Sequence, residues 1–181
     1  MLHHVLGFLM SVVFGLFLWV LLLRLVLQFL GARYHHPVSQ LLLQLSEWLI
    51  APCKRLTGLR PFKGVDCVIL FWVICVGTLD VWLSAAVVTG ALPSLPVSVF
   101  LALVLILQRM IHLFIAAIII RGIMSWFAQP NTWFLELVVQ LTEPLLIPFR
   151  RWIPAMAGFD LSLLAALVAL QLVNMLLQGL L

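Results

Sequence analysis

Charge is what this chain has least of. Only 9% of its 181 residues are Asp, Glu, Lys or Arg, against about 25% in an ordinary soluble domain. A water-soluble globule with so few charges would expose large apolar patches, which monomers rarely do. Polar tracts are equally scarce, since 65% of the residues are hydrophobic, and that excludes intrinsic disorder. Three cysteines, an odd number, make no disulfide scaffold, and Cys53, Cys67 and Cys75 contain no C-x-x-C pair. No phosphate-binding glycine loop, G-x-S-x-G or H-E-x-x-H occurs. His3-His4 and His35-His36 are adjacent pairs, a poor ligand spacing because neighbours on a helix do not share a face. His112 is the only histidine inside an apolar run, which excludes bis-histidine haem ligation within one chain. Neither a cofactor, a metal nor an enzymatic reaction is expected. No basic face interleaved with aromatics is present, so nucleic acid is not an expected partner. An integral membrane protein remains.

Four runs are long and apolar enough to cross a bilayer, at about 20 residues each. The first is uncharged over Val5–Leu23, with its helix carried to about residue 30. It lacks the basic start, short core and small-residue cleavage site of a signal peptide, so it is expected to be retained. The second covers Val65–Leu92 and includes Asp66 and Asp80. Pro93-Ser-Leu-Pro96 then forces a tight turn. The third covers Val97–Ile120, with its helix carried to about 127, and holds Arg109 and His112. The fourth covers Leu161–Leu181.

Of the ten basic residues, Arg33, Lys54, Arg55, Arg60 and Lys63 lie between spans one and two. Arg150 and Arg151 lie between spans three and four, and Arg24 and Arg121 sit where spans enter these connections. Because Lys and Arg stay cytoplasmic, both long connections are expected to face the cytoplasm and both termini the outside. Each connection carries a polar stripe at helical spacing: His36, Gln40, Gln44 and Glu47 in the first, Thr132, Glu136, Gln140 and Glu143 in the second. Leu41, Leu42, Leu45, Trp48 and Leu49 back the first stripe; Phe134, Leu137, Val138, Leu141 and Leu145 back the second. Both read as interfacial amphipathic helices of about three turns, with a re-entrant segment as the alternative.

The two stripes are offset by a constant 96 positions. Gln44 pairs with Gln140, Glu47 with Glu143, Pro52 with Pro148, and Lys54-Arg55 with Arg150-Arg151. Arg24 pairs with Arg121 after a one-residue slip, and Gly64-x-Asp66 with Gly158-x-Asp160 after a two-residue insertion. The expected architecture is therefore all-α: four transmembrane helices and two interfacial helices in a tandem parallel repeat over residues 1–92 and 97–181. A unit with two spans repeats in one orientation, unlike the inverted repeats of many transporters.

The run Thr142-Glu-Pro-Leu-Leu-Ile-Pro-Phe-Arg-Arg-Trp-Ile-Pro-Ala-Met-Ala-Gly-Phe-Asp-Leu-Ser162 resembles the signature of the YggT (YlmG) family, P-x-L-x-P-x-R-R-x-x-P followed by a glycine step and D-x-S. In the first copy Trp48 stands for the leading proline, Lys54 for the first arginine, and Cys67-Val68 follows Asp66. Ala157 departs from the usual double glycine in the second copy. The resemblance implies a small multi-pass protein of bacterial inner membranes without an established reaction. It also implies association with division or nucleoid organisation, cytochrome maturation, or potassium and osmotic stress. These disparate associations favour an assembly, scaffold or accessory factor; the alternative is a subunit or modulator of potassium or proton movement.

Three residue groups are candidates for function. Asp80 lies 13 residues before Pro93 and Arg109 lies 13 after Pro96, so adjacent antiparallel helices carry them at matching depth. An unpaired charge there costs at least about 2.5–3.5 kcal/mol, and the two are expected to pair. That pair either fixes the hairpin register or, with His112 one turn from Arg109, forms part of an ion or proton path. Arg24 and Arg121 end spans, while Asp66 and Asp160 begin them. Headgroup anchoring and N-terminal capping account for all four; Arg–Asp pairing within or between repeats is the other option, and spacing does not choose. Lys54, Arg55, Arg150, Arg151 and Trp152 flank prolines at the boundary. They suit either lipid headgroups or a docking surface for membrane or cytoplasmic proteins. Gly7, Ser11 and Gly15 form a small-residue face on span one. Gln171, Asn174 and Gln178 share a face of span four and are expected to bond other helices.

Overall fold

A computed structural model of the chain describes residues 2–29, 40, 44–47, 51, 67–90, 92–125, 133–152 and 160–180. Five helices order them: α1 Leu2–Phe29, α2 Cys67–Thr89, α3 Leu95–Met124, α4 Trp133–Trp152 and α5 Leu161–Gln178. The described residues contain no strand. Leu9–Phe29 of α1, Cys67–Val87 of α2, and the whole of α3 and α5 are long and apolar enough to cross a membrane. Only helices keep every backbone group bonded within one segment in hydrocarbon, which is what these uninterrupted Leu, Ile and Val runs require. The fold is an all-α membrane architecture with four spans. Of the first connection, only Gln40, Gln44–Glu47 and Ala51 are described, all helical. His36, Leu41, Leu42, Trp48 and Leu49 lie outside the described residues, as do Lys54, Arg55 and Asp66.

The chain divides into two compact units, Met1–Arg109 and Met110–Leu181, with the boundary inside α3. In the first, α1 packs on α2. Leu18, Leu21, Leu22 and Val26 of α1 and Ile69, Val73 and Val76 of α2 are buried. Gly7 belongs to this packing, since a Cβ there would stand 2.7 Å from Val87 Cγ1. Helix α2 stops at Thr89, three residues short of the sequence expectation. Gly90 takes φ +69°, a left-handed conformation that ends helices and suits glycine, and its N–H bonds Ala86 O at 3.2 Å. Helix α3 starts at Leu95, two residues earlier than expected, because Pro96 falls in its first turn, where proline is tolerated. Ser98 pins the turn: its hydroxyl donates to Ser94 O at 2.9 Å and accepts Trp82 Nε1–H at 2.6 Å.

In the second unit α4 packs on α5. Ile118, Leu146 and Ala166 form the buried centre, with Leu145, Phe149, Leu163 and Leu167 against it. Helix α4 is longer than the three turns expected. It runs on through Pro144 and Pro148 to Trp152, so the Pro-x-Arg-Arg segment is helical and no elbow breaks it there. A proline inside a helix forfeits the bond to the carbonyl four residues back. Here Gln140, Pro144 and Pro148 lie along one exposed side, so the freed carbonyls lie away from the core. Val138, Thr142 and Leu146 are buried on the other side. At 20 residues α4 has the length of a span, but its charges keep it out of that class.

Candidate functional site

Four charged side chains of the second unit form an alternating chain across three helices. Arg121 ends α3, where its cation suits the helix C-terminus. One terminal nitrogen donates to Thr142 Oγ1 at 2.7 Å and the other to Glu143 Oε2 at 2.8 Å. The second oxygen of Glu143 accepts from Arg150 Nη1 at 2.9 Å. Arg150 turns its Nε and Nη2 to Asp160 Oδ2, at 3.1 and 2.8 Å. Asp160 is the N-cap of α5, and its Oδ1 accepts both the Ser162 N–H at 3.2 Å and the Ser162 hydroxyl. That double contact gives D-x-S its physical reason: the aspartate caps the helix and the serine hydroxyl locks the carboxylate. Partial burial pushes the Asp160 carboxyl up, but bonds from Ser162 and Arg150, and the Arg150 charge, outweigh it and hold it below the ordinary range.

Thr142 is fully buried and passes its own hydroxyl proton to Val138 O at 2.8 Å, so Arg121 bonds an oxygen fixed by the helix. The first unit contains a parallel contact. Arg24, 5% exposed, donates to Ser46 Oγ, and Ser46 is fully buried. Ser46 and Thr142 are 96 positions apart, the offset of the two stripes.

A second constellation lies within the first unit. Arg109 Nη2 meets Asp80 Oδ2 at 3.1 Å, and the side chains are 23% and 11% exposed. Gly15 of α1 completes it: a Cβ there would stand 2.6 Å from Arg109 Nη1. The guanidinium therefore lies against bare α1 backbone, and the small-residue face serves a charge as well as a helix contact. His112 belongs to the second unit, is exposed, and has Asn174 Nδ2 at 3.4 Å from its Nε2. Of the three amides expected to bond other helices, Asn174 alone is buried and makes such a contact; Gln171 and Gln178 are exposed.

The structure thus brings together Asp80 with Arg109, and Arg121 with Arg150 and Asp160 through Glu143. Within the second unit, Arg121 pairs with Glu143 and Asp160 with Arg150. Arg151 is exposed and makes no ion pair among the described residues. Trp152 closes α4, with its side chain outside the description. Glu143 is the residue that stripe-reading undervalued. Its signal was available: a hydroxyl residue followed by a glutamate, Ser46-Glu47 and Thr142-Glu143, comes 22 and 21 residues after the span-ending arginine. Cys67 and Cys75 are free thiols. No group of three His, Cys, Asp or Glu that could hold a metal occurs among the described residues.

The CCB3/YggT family model matches this chain in two segments, residues 3–87 and 100–181. The chain belongs to the CCB3/YggT family. It is 32% identical over 170 residues to the "Uncharacterized protein in proC 3'region" of Vibrio alginolyticus, covering 94% of this chain and 91% of that protein. It is 30% identical over 174 residues to "Uncharacterized protein YggT" of Escherichia coli K12, covering 95% and 88%. A Pseudomonas aeruginosa uncharacterized protein is 29% identical over 167 residues, covering 90% and 82%. No solved structure matches. Family membership and the four apolar helices agree on a multi-pass membrane protein, and the YggT-like Pro-x-Arg-Arg and D-x-S motifs coincide with the Arg150–Asp160–Ser162 contacts.

Proposed function

We propose that this protein is a non-enzymatic assembly or accessory factor of the cell inner membrane, formed from two tandem copies of one YggT unit. Both termini lie outside, and both long connections face the cytoplasm. The observation that carries this reading is the alternating Arg121–Glu143–Arg150–Asp160 chain. Its carboxylates are held by arginines and hydroxyls, in a form suited to holding helices and not to proton transfer or attack. It leaves Arg151 and the exposed Gln140, Pro144 and Pro148 side of α4 outward for a partner protein. The two-segment family match and the parallel Arg24–Ser46 and Arg121–Thr142 contacts support the duplication. Photo-crosslinking from position 140 in native membranes, combined with Arg150→Gln/Arg151→Gln complementation and reporter fusions, tests it. The expected result is a crosslinked protein, termini reporting outside, and lost function with intact insertion.

The Asp80–Arg109 pair supports a second reading, modulation of ion movement, because ionisable groups within spans often mark ion pathways. Potassium or proton flux in proteoliposomes that disappears in Asp80→Asn would favour this reading over the first.

A further inference from the structure

We propose that the groove between the last two turns of α3 and the first two turns of α5 binds one anionic membrane phospholipid. Its phosphate would sit at the mouth and one acyl chain along the walls. The proposal does not rest on the assembly reading; it requires only that these helices span a bilayer. The groove has a volume of about 600 Å³, with Arg121, Arg150 and Asp160 at one end and Ile118, Leu163 and Leu167 on its walls. Pockets that hold small ligands fall in the range of about 300–1,000 Å³.

Helix direction sets the polarity of the groove. Helix α3 reaches the polar end with its C-terminus, and α5 leaves that end with its N-terminal cap. From Asp160 along α5 to Leu167 the wall runs roughly 10 Å at about 1.5 Å per residue, passing from charged to aliphatic. A bilayer lipid has the same gradient over the same distance.

Hydrogen-bond accounting at the mouth decides the sign of the headgroup. Both oxygens of Asp160 are already occupied, Oδ1 by Ser162 and Oδ2 by two nitrogens of Arg150. A guanidinium has five N–H donors. Among the described residues, Arg121 uses one on Thr142 and one on Glu143, leaving three, and Arg150 uses two on Asp160 and one on Glu143, leaving two. The groove mouth keeps donors in hand and no free oxygen on Asp160. The unesterified oxygens of a phosphodiester, common to anionic and zwitterionic lipids, complement it, whereas a headgroup cation would meet Arg121 and Arg150 beside a carboxylate already saturated by its own bonds. Basic pockets between spanning helices are suited to anionic headgroups.

Native mass spectrometry of the full-length protein, purified in detergent and offered dioleoyl-phosphatidylglycerol or dioleoyl-phosphatidylcholine, tests the site. One phosphatidylglycerol per chain should be retained, several-fold over phosphatidylcholine. Leu164→Trp fills the groove from an exposed position and should abolish retention; Val168→Trp, exposed outside it, should not. Thermal unfolding confirms that each variant is folded, and Ile119→Trp, also on the groove wall, replaces Leu164→Trp if that variant is not. Millimolar inorganic phosphate should leave the lipid bound. Equal retention of the two lipids, or retention that survives a filled groove, overturns the proposal. Displacement by phosphate alone removes the acyl chain from it.

Discussion

Asp160 divides its two oxygens between two tasks: one caps α5 through Ser162 and the other holds Arg150. Its folded pKa lies below the ordinary value, which for an unfolded chain is about 3.9. A carboxylate depressed on folding stabilises fully above the unfolded value, and the stabilisation is lost as pH falls through the folded one. The difference in thermal midpoint between the wild type and Asp160→Asn should therefore be constant from about pH 6 to about pH 5, and close below about pH 4. A difference unchanged down to pH 2 would show that the charge is not what Asp160 contributes. At this scale the sequence was legible where local chemistry decides. A carboxylate two residues before a serine at the start of an apolar run can be read as a cap. The depth of Asp80 and Arg109 could be counted from two prolines. The role of Gly15 could not, because a third helix must arrive before its missing Cβ acquires a neighbour.

Glu143 joins α4 to both of its neighbours, taking Arg121 from α3 with one oxygen and Arg150, which reaches on to the α5 cap, with the other. Glu143 and Arg150 are each more than a third exposed, so water screens that pair and it contributes about 0–1 kcal/mol. Arg121 is 13% exposed, and without Glu143 its charge keeps, among the described residues, only the Thr142 hydroxyl. Glu143→Gln is expected to lower the melting midpoint by several degrees, given roughly 2–4 °C per kcal/mol for chains of this size. Arg151→Gln, a substitution of an exposed arginine without an ion pair among the described residues, should leave it unchanged. Equal midpoints for the two variants would mean that the chain of ion pairs holds nothing together. That this segment is helical was legible from a spacing of three and four residues. Its length was not, since proline reads as a helix breaker wherever the surroundings are unknown. Two prolines on one exposed side are tolerated only because packing by Val138, Leu146 and Phe149 carries the opposite side.

Across the whole molecule, each compact unit has its own span-ending arginine on a buried hydroxyl, Arg24 on Ser46 and Arg121 on Thr142. Effects at independent sites add to within about 0.3–0.5 kcal/mol. Arg24→Gln and Arg121→Gln are therefore expected to lower the midpoint additively when combined, as read by thermal unfolding in detergent. A double variant no worse than the poorer single one would mean that the two contacts report on one shared element. The four spans were legible because a bilayer demands long apolar runs and tolerates little else. Which acidic partner each arginine takes was not, since Glu136, Glu143 and Asp160 all follow Arg121 before the next span. The Asp80–Arg109 pair bears also on biosynthesis. Arg109 follows Asp80 by 29 residues, so a ribosome delivers the anion well before its counter-ion exists. Entering hydrocarbon alone, Asp80 would face a barrier of about 2.5–3.5 kcal/mol. The turn over 90–94 is short enough for α2 to wait beside the translocation machinery until α3 is complete. The α2–α3 hairpin hands Asp80 and Arg109 to the lipid together, as one neutral pair.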